Sequence, residues 1–450
     1  MTRRPPSTPI HFGATQPSKY VPLTRQYNEH PTKLKERPTT NSLSEKAPAN
    51  RRNKTKLSDN KTVIEIAILL ANLEQGRGFK HLIDRFEETH PNIKVHTRVY
   101  NDKEYKRKLN EWVSKADGPD VFYWQAGERL FELARRNAIQ SLNPLWESHN
   151  WDRLFPENIK NLVHYKDNVY ALPFAYYQWG FYYKKSVFKR LNLSPPNTWK
   201  DFLRVSQTLS ENHITPLSIG TKNDWPAAAW FDYLNLRTNG LTFYRSLLAG
   251  EMPFTHSKVR DALNQWKPFI DNGYFNKGQE QLTWSEAMPL LYREIAGMTL
   301  IGNFVEKSIP THLIEDIGFF PFPTINQQIP AYELMPTEVF AFSRWSRKTD
   351  EAYALLNYLS EPETQLSLAS ELGYIPATTK AHDHISPLSL EGVKLLDKSA
   401  DIMQYFDRDT DQKFSKSVLP YLSGFLLEPD VDSTLNALES KRLELLIAPP

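Results

Sequence analysis

The chain has 450 residues, 40% hydrophobic and 24% charged, enough for two or three domains or for two large lobes with a tail. It contains no cysteine, which excludes disulfides, thiolate chemistry, thiolate zinc sites and iron–sulfur clusters. The net charge of +3 hides an asymmetry: residues 1–61 hold 13 Lys/Arg against 4 Asp/Glu, leaving 42 against 48 elsewhere, so the remainder is mildly acidic.

Residues 1–61 carry eight Pro and almost no apolar periodicity. Such a segment buries too little surface to offset its ordering entropy, which predicts a disordered basic extension. Its charge suits either a solvated tail or contact with nucleic acid or anionic lipid; no nucleic-acid partner is expected. No apolar run approaches the ~20 residues of a membrane span. Arg3-Arg4 has no apolar stretch behind it, so no signal peptide is visible.

"TVIEIAILLA" from Thr62 is a near-continuous apolar run, as in a strand buried on both faces. "GFKHLIDRFEETHP" places Phe79, Leu82, Ile83 and Phe86 on one helical face and stops at Pro91. "NIKVHTRVY" reads as a second strand, "DKEYKRKLNEWVSK" as a second helix and "PDVFYW" as a third strand. This alternation predicts a parallel α/β sheet. A helix follows in "GERLFELARRN", then the aromatic run "NVYALPFAYYQWGFYYKKSVFKRL", which Pro173 is expected to interrupt. Thr198 is a candidate N-cap for "TWKDFLRVSQTL". "PLSIG", "AGMTLIGNFV", "DIGFFPFPT" and "PTEVFAFSRWS" read as further strands, and the C-terminal part from about Leu390 as helical with a break at "FDRDTDQ".

Taken in this order, "ANLEQGRGFKHLIDRFEETHPNIKV", "GPDVFYWQAGERLFELARRNAIQSL", "VYALPFAYYQWGFYYKKSVF", "GTKNDWPAAAWFDYL", "GMTLIGNFV" and "RKTDEAYALLNYLSEPETQLSLASELGYIPA" resemble segments of the extracellular solute-binding proteins of bacterial ABC transporters. The match is to their sugar-binding group, which includes maltose-binding protein, and it covers roughly residues 62–450. The resemblance implies an α/β fold of the two-lobe periplasmic-binding-protein kind, type II-like, with hinged lobes and a ligand cleft between them. It implies one lobe from 62–174 plus 332–378 and a second from 175–331 plus 379–450. A sugar ligand, ABC permease subunits in the membrane as partners, a monomeric state and a periplasmic or extracytoplasmic location follow from it. The N-terminus departs from the family, whose members carry a signal peptide or lipobox.

A pyranose offers an apolar face to aromatic rings and a rim of hydroxyls to carboxylates, amides and arginine. In open α/β sheets ligands lie beyond the carboxyl ends of strands. The pairs Trp124–Gln125, Asp224–Trp225 and Asn303–Phe304 occupy such positions. Trp124, Trp225 and Trp230 are therefore candidate sugar platforms, and Glu74, Gln125, Asp224, Asn303 and Asp407 candidate hydroxyl ligands. Trp124 also reads as a core plug, and Trp230 and Trp284 equally as packing. Strand alternation separates Tyr177 from Tyr176 and Tyr182 and makes it the candidate for the cleft. Arg408 and Glu338, the latter beside the second crossing between lobes, complete the set. Trp112, Trp146, Trp199, Trp266 and Trp345 fit apolar faces and read as packing.

"FDRDTDQKF" alternates Asp407, Asp409 and Asp411 like a calcium loop, but Gln412 stands where the loop needs Gly and Val418 where it needs Glu. No metal or other cofactor is expected. "HDH" at 382–384 reads as a surface loop. Phosphate-binding, nucleophile-elbow, zincin and dinucleotide motifs are absent from the sequence. Glu338, Asp224, Glu74 and Asp407 could supply a glycosidase pair by composition only. The expected function is substrate capture for an ABC sugar importer, without enzymatic chemistry. A sugar sensor feeding a signalling partner and a carbohydrate-active enzyme stand as alternatives.

Overall fold

The computed structural model describes residues 61–70 and 73–447. The expected basic extension, up to residue 60, lies outside the described residues.

Two lobes form around two sheets. The first sheet is six-stranded, in the order Ile375–Pro376, Ala171–Tyr176, Thr337–Phe342, Val121–Gln125, Thr62–Leu69, Ile93–Tyr100. The three strands read first in the sequence run parallel, with Ile66 opposite Val121 and Ile64 opposite Val95. Thr337–Phe342 then enters antiparallel between Val121–Gln125 and Ala171–Tyr176. The helices Leu73–Thr89 and Asp102–Lys115 lay Phe79, Leu82, Phe86, Leu109 and Trp112 onto this sheet. The first of these helices begins several residues earlier than its apolar periodicity suggests, so Glu74 and Gln75 sit in its first turn.

The second sheet has four strands, in the order Ile317–Phe320, Trp179–Lys184, Ala296–Gly302, Thr215–Ser218. Its core is aromatic: Phe181, Phe202, Trp230, Trp266, Phe269 and Phe322 pack together. The helix Trp199–Glu211 starts at Thr198, whose side chain accepts the Asp201 amide as an N-cap. Trp112, Trp146, Trp199 and Trp266 are all buried, and Trp345 is half-buried.

The chain passes between sheets at short junctions. Ala171–Tyr176 belongs to the first sheet and Trp179–Lys184 to the second, so Tyr177-Gln178 makes the crossing. Pro173 does not interrupt the strand. Its missing N–H falls opposite a register shift between Glu338 and Val339, and its carbonyl accepts the Gln365 side chain at 2.9 Å. The second crossing runs from Tyr332–Leu334, paired in parallel with Asp401–Met403, through Met335-Pro336 into Thr337–Phe342.

Amide side chains lock the first crossing. Gln178 Nε2 donates to Asn303 Oδ1 at 3.1 Å and to the Leu388 carbonyl at 3.1 Å. Tyr182 donates to the same Asn303 oxygen at 2.9 Å, and Asn303 Nδ2 donates to Ser389 Oγ at 3.1 Å. All four side chains are buried, where an unmade hydrogen bond costs about 1–3 kcal/mol, so the knot favours one arrangement of these segments.

Candidate functional site

Between the lobes lies a cleft of about 600 Å³. Strand alternation at Val121–Gln125 turns Gln125 toward it, whereas Trp124 faces the other way. The Trp124 indole donates to the Arg129 carbonyl at 3.1 Å and its ring stacks on Tyr105 with centroids 6.2 Å apart. Tyr123 donates its hydroxyl to Glu338 Oε2 at 2.5 Å. The other Glu338 oxygen accepts Arg408 Nη1 at 2.9 Å. Glu338 is 0% exposed and the Arg408 side chain 12%, so this ion pair is held beneath the cleft, and of the two only Arg408 lines it. Burial works against the Arg408 charge, but the Glu338 carboxylate outweighs it and holds the guanidinium pKa above the usual arginine value. Burial, reinforced by Glu338, likewise raises the Tyr123 phenol.

Aromatic rings line most of the remaining wall. Tyr177 stacks on Tyr374 with centroids 4.8 Å apart and meets Phe304 edge-on at 5.5 Å. Trp179 stacks on Tyr405 at 4.7 Å and meets Trp225 edge-on at 5.9 Å. Phe304 touches Trp284 and Trp225 edge-on at 5.2 and 6.2 Å. Trp284 opens the helix Trp284–Tyr292, fixed by a capping box between Thr283 and Glu286. The Arg408 guanidinium lies 5.7 Å from the Tyr177 ring centroid, a cation–π contact. Asp407, Lys307 and Glu371 supply the charged rim, together with Lys106. Aromatic faces beside a few fixed charges and amides can hold an amphipathic, hydroxyl-rich solute.

Of the residues singled out in the sequence, Gln125, Tyr177, Trp225, Trp284, Phe304, Asp407 and Arg408 line this cleft. Trp124 does not, being turned into the packing of helix Asp102–Lys115. Trp230 is 1% exposed and stacks on Trp266 in the second core, because helix Pro226–Asn239 is buried along nearly its whole length. Asn303 belongs to the buried knot behind the cleft, with its amide engaged on both sides. Asp224, at φ +61°, accepts the Ser423 hydroxyl at 2.5 Å rather than lining the cleft. Glu338 reaches the cleft only through Arg408. The Glu74 side chain lies outside the described residues.

Gln75, which closes a strand-end stretch, and Trp179, on the hinge strand, are legible in the sequence, whereas Lys106, Tyr374 and Tyr405 are not singled out there. Tyr405 has a usable signal, since it directly precedes "FDRD". Tyr374 had no comparable signal, because Gly373 ends its helix and only the fold brings that turn beside Tyr177. Among the described residues no group of three or more His, Asp or Glu converges on a metal position. Among them, too, no helix is long and apolar enough to cross a membrane.

Comparison with known proteins agrees with this architecture. An uncharacterised ABC transporter extracellular-binding protein of Pyrococcus horikoshii is 24% identical over 335 residues, spanning 72% of this chain and 74% of that protein. The multiple sugar-binding protein of Streptococcus mutans is 22% identical over 283 residues, 60% of this chain and 65% of its own length. The crystal structure of the bacterial solute receptor AcbH, described as preferring β-D-galactopyranose, superposes with a TM-score of 0.77 at 22% identity, covering 86% of this chain and all of that one. The family model for bacterial extracellular solute-binding proteins matches residues 71–366, and the chain belongs to that family.

Proposed function

We propose that this protein captures a sugar, an oligosaccharide or glycoside, and delivers it to the permease of an ABC importer. The observation that carries the reading is the inter-lobe cleft walled by Tyr177, Trp179, Trp225, Phe304, Tyr374 and Tyr405. Relatives named as ABC transporter binding proteins and sugar-binding proteins support it. Ring faces would bury the apolar side of a pyranose, while Gln125, Asp407 and Arg408 would bind its hydroxyls. The ligand bridges the lobes and favours closure only by its differential affinity for the closed form. Binding proceeds without covalent chemistry: the Glu338 carboxylate, one candidate for hydrolysis, has both oxygens engaged by Tyr123 and Arg408. The protein acts as a monomer outside the cytoplasmic membrane, and the closed form is the species that docks on the permease.

The test is a titration of the full chain with mono- and oligosaccharides, read by intrinsic tryptophan fluorescence and by melting temperature. A saturable change in both for one glycan class, weakened by Trp225→Ala, is expected. Silence of a folded sample across a broad neutral and acidic glycan panel would overturn the sugar assignment.

A further inference from the structure

The turn that carries Asp407 and Arg408 into the cleft is gripped from both lobes. The Arg408 and Asp409 amides both donate to the Tyr405 carbonyl, at 2.7 and 3.2 Å, so Phe406 and Asp407 are the central residues of the turn. On the second-lobe side, Asp232 of helix Pro226–Asn239 accepts the Phe406 amide at 3.0 Å, and the Tyr405 hydroxyl donates to the Trp225 carbonyl. On the first-lobe side, Arg129 of helix Glu128–Arg135 donates through Nε to the Asp407 carbonyl at 3.1 Å, and its Nη2 donates to the same oxygen.

A peptide carbonyl is a poor reason to bury a guanidinium. Arg129 is 7% exposed, and no carboxylate among the described residues forms an ion pair with it. Burial pulls its pKa below the usual arginine value, against Asp407, Glu132 and Asp411, which act on it from farther off. A buried charge without a close counter-ion works against folding. What the side chain holds therefore explains it better than any stability it adds. Its own placement is fixed from behind, since the Trp124 indole donates to the Arg129 carbonyl at 3.1 Å. Arg129 does not line the cleft; it borders a separate cavity of about 740 Å³.

The tip of the turn offers two unlike groups on adjacent residues. Among the described residues no hydrogen bond ends on the Asp407 carboxylate, which lines the cleft as an acceptor only. The Arg408 guanidinium, a donor only, spends Nη1 on Glu338 and has further N–H groups. Such a pair suits two neighbouring hydroxyls of one sugar ring, the first donating to Asp407 and the second accepting from Arg408. The match depends on where the Asp407 peptide stands, because that peptide links the two side chains.

We propose that Arg129 is a positioning residue for sugar capture: it holds the Asp407 peptide so that the Asp407 carboxylate and the Arg408 guanidinium meet one pair of neighbouring hydroxyls together. The proposal rests on the cleft reading given above. Arg129 acts through Asp407 and never meets the ligand. Lysine is no substitute, since it carries the charge but lacks the planar fork that places two donors on one oxygen.

The experiment is calorimetric titration of the full chain with a panel of neutral mono-, di- and trisaccharides, followed by a double-mutant cycle on any saccharide that binds. Asp407→Asn should weaken binding at least about tenfold, the factor that loss of one charge-assisted hydrogen bond predicts. Arg129→Met should weaken it by a similar factor while the melting temperature stays within a few degrees, because a buried charge leaves and water from the adjoining cavity can meet the freed carbonyl. The double variant Arg129→Met/Asp407→Asn should bind within about twofold of the weaker single variant, the non-additivity expected when one residue acts through the other. Arg129→Lys should fall between wild type and Arg129→Met, and should have no further effect once Asp407 is Asn; it keeps the test decisive if the Met variant folds poorly. Without ligand, the Arg408 and Asp409 amides should exchange faster in Arg129→Met than in the wild type. A purely structural Arg129 gives the opposite pattern, a lowered melting temperature with unchanged Kd. Binding that survives Arg129→Met, losses that multiply in the double variant, or unchanged exchange at the turn would overturn the proposal and leave the cleft reading standing. A wild type silent across the whole panel strikes the cleft reading, and the proposal falls with it.

Discussion

Replacing Glu338 by Gln isolates the ion pair under the cleft. The carboxylate accepts Arg408 at 2.9 Å and Tyr123 at 2.5 Å, and it is 0% exposed. A glutamine keeps the shape and one acceptor oxygen, so one of the two bonds is lost and the guanidinium keeps only the neighbouring Asp407 as a counter-charge. Each hydrogen bond to a charged group contributes about 1.5–3 kcal/mol. Removing one partner of a buried pair costs about 3–5 kcal/mol, because the other charge stays buried and uncompensated. A loss of about 4 kcal/mol is therefore expected, equivalent to a fall of roughly 10 °C or more in the melting temperature of a lobe of this size. The assay is urea unfolding followed by tryptophan fluorescence, with the slope checked for constancy, and calorimetry alongside. The double variant Glu338→Leu/Arg408→Met should recover most of the loss, since an apolar pair of similar volume removes both desolvated charges. A single variant within about 1 kcal/mol of the parent, or a double variant worse than the single, would refute this account of the cleft floor.

Other substitutions separate the cleft from the cores. Trp225→Ala should weaken glycan binding by about 10- to 100-fold with a melting shift of a few degrees, because its ring is half-buried and stands in the cleft wall. Trp230→Ala should do the reverse, costing about 3–5 kcal/mol in urea unfolding while the folded fraction binds with unchanged Kd. Asp316 has a lowered pKa: burial opposes the shift, but Lys184 at 2.6 Å and the Ser186 hydroxyl and amide outweigh it. Its stabilisation is present above the ordinary aspartate range and lost as pH falls through the depressed value. Asp316→Asn should accordingly lose less stability than the wild type on acidification from pH 5 to pH 2, measured by circular dichroism.

Much of the fold is legible because periodicity reports burial. "TVIEIAILLA" reads as a strand covered on both faces; Ile64, Ile66 and Ile68 make one face and are fully buried, whereas on the other only Ala67 is and Val63 is 48% exposed. Thr198 reads as an N-cap because a hydroxyl before an amphipathic run has one favoured use. The site is less legible, since aromatic character does not distinguish a platform from a plug. Trp225 and Trp230 are five residues apart, yet the first stands in the cleft and the second in the core. What separates them is helix Pro226–Asn239, whose burial on all sides is set by partners from residues 257–271 and 412–425. Asn303 misleads for a related reason. An amide at a strand end suits a hydroxyl ligand, but Gln178 and Ser389 reach it first, and neither is near it in sequence.

The cleft rings already brace one another before any solute arrives. Tyr177 leans on Tyr374, Trp179 on Tyr405, and Phe304 touches four of its neighbours edge-on. Few rotamers remain to be frozen on capture, so the conformational entropy of binding falls mainly on the hinge and on the solute. Removing one ring frees the next, and energies from single substitutions along this wall should fail to add. Solutes differing only in flexibility should rank by their own stiffness, the more rigid glycan binding tighter at equal contact area.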